Sequence, residues 1–313
     1  MLRYLLTIAL ACLVNMTLVL TARAAPTVWV AMTDAGGVYA EAATVLQNQL
    51  QEKATVEAGS VVTVLSPRQM PPDLIVTVGT EAFDKTLTWL GARDPRWARV
   101  PVLAILLPRA AYEARLAGGG PSRPVSAVVL DQPLSRQLAL ITLVAPDRKT
   151  IGVLPGAQTQ PLLPTLERAA QARGLRVKPT RPVADTQGIY PALKEALESA
   201  DVLLALPDPV IYNSATLKNI LLASYRARVP LVAFSAAYVK AGALAAVFAT
   251  PSQVGDHAAD VVDAVLAGRS LPAVQAPHDF TVAVNDSVAA SLGLRLDTPA
   301  QIRENLRRME RQP

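Results

Sequence analysis

The sequence predicts an α/β chain built as two doubly wound parallel-sheet lobes. Three observations carry that reading. Apolar, β-rich runs alternate with amphipathic helical patterns almost from end to end, as parallel strands covered by helices on both faces require. About ten such runs occur, too many for one comfortable sheet in a chain of 313 residues. The stretches "RVPVLAI" at Arg99 and "RVPLVAF" at Arg228 echo each other, each after a strand-helix unit. In both, a proline opens the strand, where a missing N–H is tolerated.

The elements follow in order. "TVWVAM" (27–32) is a strand, and a helical pattern runs from about Gly37 to Glu52. "VVTVL" (61–65) reads as an edge strand. Too few residues separate it from "DLIVTVG" (73–79) for a normal parallel crossover, so the first lobe is short by about a helix. A helix follows through Leu87, then the strand "VPVLAIL" (100–106). "GGGPSRP" (118–124) is the most loop-like segment. "SAVVL" (126–130) precedes the helix "PLSRQLALITLVA", and "KTIGVLP" (149–155) precedes a helix near 162–173. "LRVKPTRPV" is strand-like and "IYPALKEALESA" helical. "DVLLALP" (201–207) leads to a helix over 214–226. "VPLVAFS" (229–235) and "LAAVFAT" (244–250) are strands, the latter before a helix through Leu266. "FTVAVN" (280–285) precedes a short helix and a polar helical tail.

Bulk properties narrow the function. The chain is 51% hydrophobic and only 18% charged, which excludes a disordered chain. Its formal charge of +5 is thinly spread outside the tail "RENLRRMERQ", so nucleic acid is not expected as a partner. Residues 1–24 read as a signal peptide. Arg3 opens it, an apolar stretch runs from Leu5 to Leu20, and Ala22-Arg23-Ala24 fits the small-x-small cleavage pattern. Asn15 and Thr17 interrupt the stretch, which is short for a span of about 20 residues. The expected location is the periplasm. Cys12 lies inside this leader, so the processed chain is expected to have no cysteine and no disulfide.

Enzyme signatures are scarce. No GxSxG elbow, Walker loop or GxGxxG follows a strand. His257 and His278 have no nearby second metal ligand and read as surface residues. Trp29, Trp89 and Trp97 read as packing. No catalysis, cofactor or metal is expected.

In open parallel sheets ligands bind beyond the carboxyl ends of the strands. The polar residues there are Thr33, Asp34, Thr80 and Asp131 in the first lobe, and Gln158, Thr159, Asp208, Tyr212, Asn213 and Ser235 in the second. Asp208 can hold a ligand ammonium, and Tyr212 can stack on an apolar or cationic part. Plainer roles stand beside these. Thr80 and Asn213 can be helix caps. Asp34 can be a turn residue, Asp208 can bond its own backbone between Pro207 and Pro209, and Tyr212 can cover the sheet end.

Several stretches together resemble the ABC-transporter substrate-binding proteins of the type I periplasmic kind, the group that includes aromatic-amino-acid binders. They are "DLIVTVGTEA", "LALITLVAPDRKTIGVLPG", "ADVLLALPDPVIYNS", "VPLVAFSAAYVKAGALAAVFATPSQVGDHAADVVDAVLAG" and "FTVAVNDSVAASLGL", in the family's order from Asp73 to Leu296. The resemblance implies lobes joined by crossover strands near Ala127–Leu130, Ala249–Pro251 and Val282–Asn285. Lobe 1 would be 25–128 plus 250–280, and lobe 2 would be 129–249 plus 281–313. It implies pocket-facing turns at Thr33, Thr80, Gln158 or Thr159, Asp208 and Ser235. A small polar or amino-acid-like ligand would bind between the lobes of a monomer that serves an ABC permease in the inner membrane. The alternative is an interaction module serving a membrane sensor or an outer-membrane uptake system. The turns "AMTDAGG" and "PGAQTQP" depart from the family's usual polar residues, and Pro209 follows Asp208 in place of a small polar residue.

Overall fold

The structure, a computed structural model, describes residues 25–66, 70–93, 95–118 and 123–311. The signal peptide expected over 1–24 lies outside the described residues. Two sheets form the frame, as the alternating pattern requires. The first has five parallel strands: β1 (Thr27–Met32), β2 (Thr55–Ser60), β3 (Leu74–Val78), β4 (Val102–Ile105) and β5 (Val125–Val128), in the order β2-β1-β3-β4-β5. The second has six: β6 (Thr150–Val153), β7 (Arg176–Pro179), β8 (Val202–Leu204), β9 (Leu231–Ala233), β10 (Ala245–Phe248) and β11 (Thr281–Val284). Their order is β11-β10-β9-β8-β6-β7, and β11 alone runs antiparallel to its neighbour. The central strands are buried on both faces, and each sheet has an apolar core on either side. The molecule is therefore two-lobed.

The helices of the first lobe are α1 (Gly37–Leu50), α2 (Val61–Val64), α3 (Thr80–Gly91) and α4 (Arg109–Leu116). The edge strand expected at 61–65 is corrected here. The edge strand is β2, and Val61–Val64 is a single helical turn capped by the Ser60 hydroxyl, which accepts from Thr63 N. That turn stands where a full crossover helix would pack. The tryptophans do pack together, Trp29 lying 5.7 Å from Trp97 and 6.3 Å from Trp89 between ring centroids.

The remaining helices are α5 (Leu134–Val144), α6 (Leu163–Gln171), α7 (Thr186–Ser199), α8 (Leu217–Arg226), α9 (Ala236–Ala241), α10 (Pro251–Leu266), α11 (Asp286–Ser291) and α12 (Pro299–Arg311). The chain passes between the sheets three times. It leaves the first sheet after β5. It returns after β10 into α10, whose Val254, Ala258 and Val262 join the core beneath α1. Gly255 allows that approach, because a Cβ there would lie 2.5 Å from the Ala42 carbonyl oxygen. The third passage runs beside β5, where Gln275 exchanges backbone bonds with Ala127 and Val129, and then enters β11. It precedes Val282–Asn285, because those residues lie in or just after β11 in the second sheet.

His257 is also corrected. It is buried in α10, its ring 4.3 Å from that of His278, and its Nδ1 accepts the His278 backbone N–H. Burial, with His278 beside it, lowers the His257 imidazole to about 4, so it stays neutral.

Asp279 ties the passages together. Its carboxylate accepts from Arg303 Nη2 at 2.8 and 2.7 Å, from Arg307 Nη2 at 2.5 Å and from Gln253 Nε2 at 2.9 Å. Burial raises its pKa, but these donors outweigh burial and hold the carboxyl well below the usual carboxylate range. A depressed folded pKa gives stability that is present above the unfolded value of about 3.9 and is lost as pH falls toward the folded value. Asp279→Asn should therefore lower stability at pH 7 and flatten the loss of stability below about pH 4. Urea unfolding at pH 7, 5, 4 and 3 measures both. Equal pH slopes for the variant and the native chain would contradict the assignment.

Candidate functional site

A cavity of about 360 Å³ opens where the chain passes between the sheets. Arg109 and Glu113 of α4 line one side, after β4 of the first sheet. Gln158 and Thr159 after β6, with Leu206 and Pro207 after β8, line the other. The first passage supplies Asp131 and Gln132, the start of α5 supplies Gln137, and the third passage supplies Gln275. Both sheets thus present strand-end residues to one space.

Of the ten residues expected from the sequence, Asp131, Gln158 and Thr159 meet at this cavity. The Asp131 carboxylate accepts the Arg109 backbone N–H at 2.6 Å. Burial raises its pKa, against the lowering effect of that bond and of the Arg109 charge. The Arg109 guanidinium lies 3.6 Å from Glu113, one turn along α4. The Thr159 hydroxyl accepts from Gly156 N at 2.9 Å and closes the turn that presents Gln158.

The other seven do not line it. Thr33 Oγ1 accepts from Ala82 N at 3.1 Å and so caps α3, whose first residue is Thr80. Its hydroxyl sits against Gly79, where φ is 97° and a Cβ would lie 2.5 Å from Thr33 Oγ1. Exposed Asp34 accepts from Gly36 N in a turn. Asn213 spends its amide locally: Oδ1 accepts from Ala215 N and Thr216 N, and Nδ2 donates to Pro209 O and Val210 O. That turn delays α8 to Leu217, three residues beyond the expected start. Ser235 stands at the N-cap of α9 without a side-chain capping bond.

Tyr212 is buried in an aromatic cluster with Phe234 and Tyr238, and Tyr238 Oη donates to its backbone oxygen at 3.0 Å. Burial, helped by Tyr238 and Asp208, raises its phenol pKa. Asp208 is only 3% exposed. One oxygen accepts from Val210 N at 3.1 Å, and the other lies over Gly156, where a Cβ would approach it to 2.3 Å.

Sequence reasoning missed Gln132 and Gln137. Gln132 Oε1 accepts from Arg136 Nη1 at 2.7 Å, and Gln137 Nε2 donates to the Gln132 backbone oxygen at 3.2 Å. Arg136 is itself buried. It grips Glu310 of α12 through Nε at 2.5 Å and Nη2 at 3.1 Å, and its guanidinium carbon lies 4.0 Å from the Phe280 ring centre. Gln132 Nε2 and Gln137 Oε1 are left buried without a protein partner. The available signal was "QPLSRQ", three long polar side chains at the start of an otherwise apolar helix.

Residues 119–303 match the family model described as ABC transporter substrate binding protein. Among the solved structures that share the fold are these three. A conserved domain protein from Vibrio cholerae O1 biovar El Tor is 20% identical, with a TM-score of 0.57 over 89% of this chain and 98% of its own. An ABC domain from Streptococcus pneumonia in complex with L-Trp is 19% identical, with a TM-score of 0.57 and the same coverage. A substrate binding protein with adhesive properties from Clostridium difficile, in its ligand-free open structure, is 16% identical, with a TM-score of 0.67 over 89% of this chain and 97% of its own. No curated protein matches the chain.

The contact between Asp208 and Gly156 makes a steric prediction. Gly156→Ala should destabilise the protein by roughly 1–3 kcal/mol, the usual range for overpacking. Adding Asp208→Ala should recover part of that loss, because it removes the colliding carboxylate. A double-mutant cycle by chemical denaturation reads the coupling, and strict additivity would refute it.

Proposed function

Because the chain belongs to the ABC transporter substrate binding protein family, we propose that it is a periplasmic solute-binding protein of an ABC importer. It takes a small polar or amino-acid-like ligand between its lobes and hands it to a permease in the inner membrane. It works as a monomer, with lobe 1 formed by 25–128 plus 250–280 and lobe 2 by 129–249 plus 281–313. Its family and fold are those of solute-binding proteins, which are not enzymes. Among the described residues no helix is long and apolar enough to cross a membrane.

The observation that carries the reading is the cavity lined from both sheets. Its groups are amides, a hydroxyl and the carboxylate of Asp131, with Arg109 and Glu113 already facing each other. Asp131 is then the charge left for a ligand, and an amine is its natural partner. The L-Trp bound by the streptococcal structure supports an amino-acid-like ligand here. Closure of the lobes would remove the ligand from water and strengthen each polar contact.

Thermal-shift screening of the processed chain against amino acids and small polar metabolites, followed by calorimetry, tests this. A ligand at 100 times its Kd should stabilise the fold by about 2.7 kcal/mol. Asp131→Ala should weaken the best binder by about 10-fold or more, as expected for losing a charged hydrogen bond. A broad panel without a binder would count against the reading.

A further inference from the structure

We propose that the outer face of α8, together with Tyr190 of α7, is a docking surface for an anionic phospholipid bilayer. This face is separate from the inter-sheet cavity, and no residue lines both. The inference goes beyond solute binding and does not depend on which ligand the cavity takes.

α8 stands as a ridge between two open grooves. One, of about 390 Å³, lies between α7 and α8. The other, of about 620 Å³, lies between α8 and the end of α9. Tyr190, Leu222 and Tyr225 are 73%, 45% and 52% exposed. Tyr190 and Leu222 line the first groove, and Leu222 and Tyr225 line the second, so the three side chains form one apolar patch. Cations frame it. Arg226 lines the first groove and Lys218 the second, while Arg228 follows the helix. Among the described residues none of the three makes an ion pair or a side-chain hydrogen bond. No acidic residue lines either groove.

Arg228 is the independent sign that charge is wanted here. Five helices close with the same backbone bond, in which an N–H reaches a carbonyl five residues back: Leu175 to Ala170, Val229 to Ser224, Ala243 to Tyr238, Arg269 to Ala264 and Leu294 to Ala289. The residue before each donor is left-handed. Four of these are glycines, Gly174, Gly242, Gly268 and Gly293, but at the end of α8 it is Arg228, with φ 56°. Glycine adopts that backbone without penalty and arginine does not. A cation also favours a helix C-terminus, but at an exposed end that gain is smaller than the cost of the left-handed backbone. Its charge therefore has a use outside the fold.

The occupant follows from the spread of charge. Lys218 and Arg226 stand about 12 Å apart along α8, too far for one small anion to meet both. A second copy of this chain would bring cations against cations across the patch. A bilayer with anionic lipids offers phosphates in a plane and a yielding layer beneath them. Lysine and arginine meet the phosphates, tyrosine rings settle at headgroup level, and acyl segments fill the grooves beside Leu222.

Cosedimentation of the processed chain with vesicles tests this, using phosphatidylcholine alone and an equimolar mixture with phosphatidylglycerol. The native protein should bind the mixed vesicles at low salt, bind phosphatidylcholine at least about 10-fold more weakly, and lose affinity as salt rises. Lys218→Glu with Arg226→Glu should weaken binding at least about 10-fold, and Tyr225→Ala should weaken it at every salt concentration. Arg228→Gly is the sharpest variant. It should weaken binding about 5-fold while the melting temperature stays level or rises, which a merely structural role cannot produce. Arg168→Glu, on α6 across the second sheet, makes the same change of net charge as Arg226→Glu and should bind like the native chain. Arg168→Glu weakening binding as much as Arg226→Glu would assign the effect to net charge and overturn the proposal. Equal binding to both vesicles, or binding to neither, as an acidic partner protein in place of the bilayer would give, also overturns it.

Discussion

The joint between the two sheets depends on one carboxylate. Asp279 lies on the third passage and gathers donors from three places. Gln253 comes from the first turn of α10, Arg303 and Arg307 from α12, and the Phe280 N–H from the start of β11. Gln253 is also the far half of a capping box with Thr250, where the second passage becomes a helix. Its Oε1 accepts from Thr281 Oγ1 as well. Two passages and the last helix therefore converge on a single charge. Charge-assisted bonds are shorter and stronger than neutral ones, and several on one centre fix direction as well as distance. The sheets alone give no such fix, because strand pairing ends at the last residue of each strand.

The same last helix reaches the cavity. Arg303 and Glu310 are seven residues apart on α12, two helical turns or about 10 Å. One end of that span holds Asp279 at the joint, and the other holds Arg136 behind the cavity wall. Ile302 and Leu306 bury the face between them in the core of the second lobe. A buried guanidinium is costly unless it is fully paired, so Arg136 keeps its geometry only while α12 stays docked. The Arg136–Gln132 contact and the inter-sheet joint thus share one rigid support. A residue far from the cavity in sequence can matter to it for that reason.

The fold was legible because its signals are periodic and local. Apolar runs such as "DLIVTVG" and "LAAVFAT" mark strands whatever surrounds them, and the amphipathic pattern after each marks a covering helix. What failed had a nonlocal or short-range cause. "VVTVL" has strand composition, but the Ser60 hydroxyl caps Thr63 and turns the segment into one helical turn. His257 looks polar and exposed in a helix beside Asp256 and Asp260, yet α10 buries it against the third passage. The tail "RENLRRMERQ" reads as a solvated charged helix, while two of its arginines and Glu310 make the structure's central ion pairs. No spacing rule reports partners that lie 24, 28 or 174 residues away.

Strand-end polarity alone does not say which residues line the cavity. Thr33, Asp34, Asn213 and Asp208 all stand where a parallel sheet offers its ligand groups. Each has a short side chain within reach of its own turn or of a neighbouring helix start. The turn uses that side chain before a ligand can: Thr33 caps α3, Asn213 closes its loop four ways, and Asp208 takes the Val210 N–H. β8 ends at Leu204, and beyond it the Asp208 carboxylate lies against Gly156. That contact sits behind the Thr159 turn, so Asp208 supports the wall that Gln158 and Thr159 present. Long amides behave differently. Gln132 and Gln137 each have a donor side and an acceptor side, and their local partners occupy only one. The opposite side of each amide is buried without a protein partner. In this fold a polar residue at a strand end or helix start keeps an unspent group when local hydrogen bonding leaves part of it free, and that depends on side-chain length and valence as much as on position along the strand.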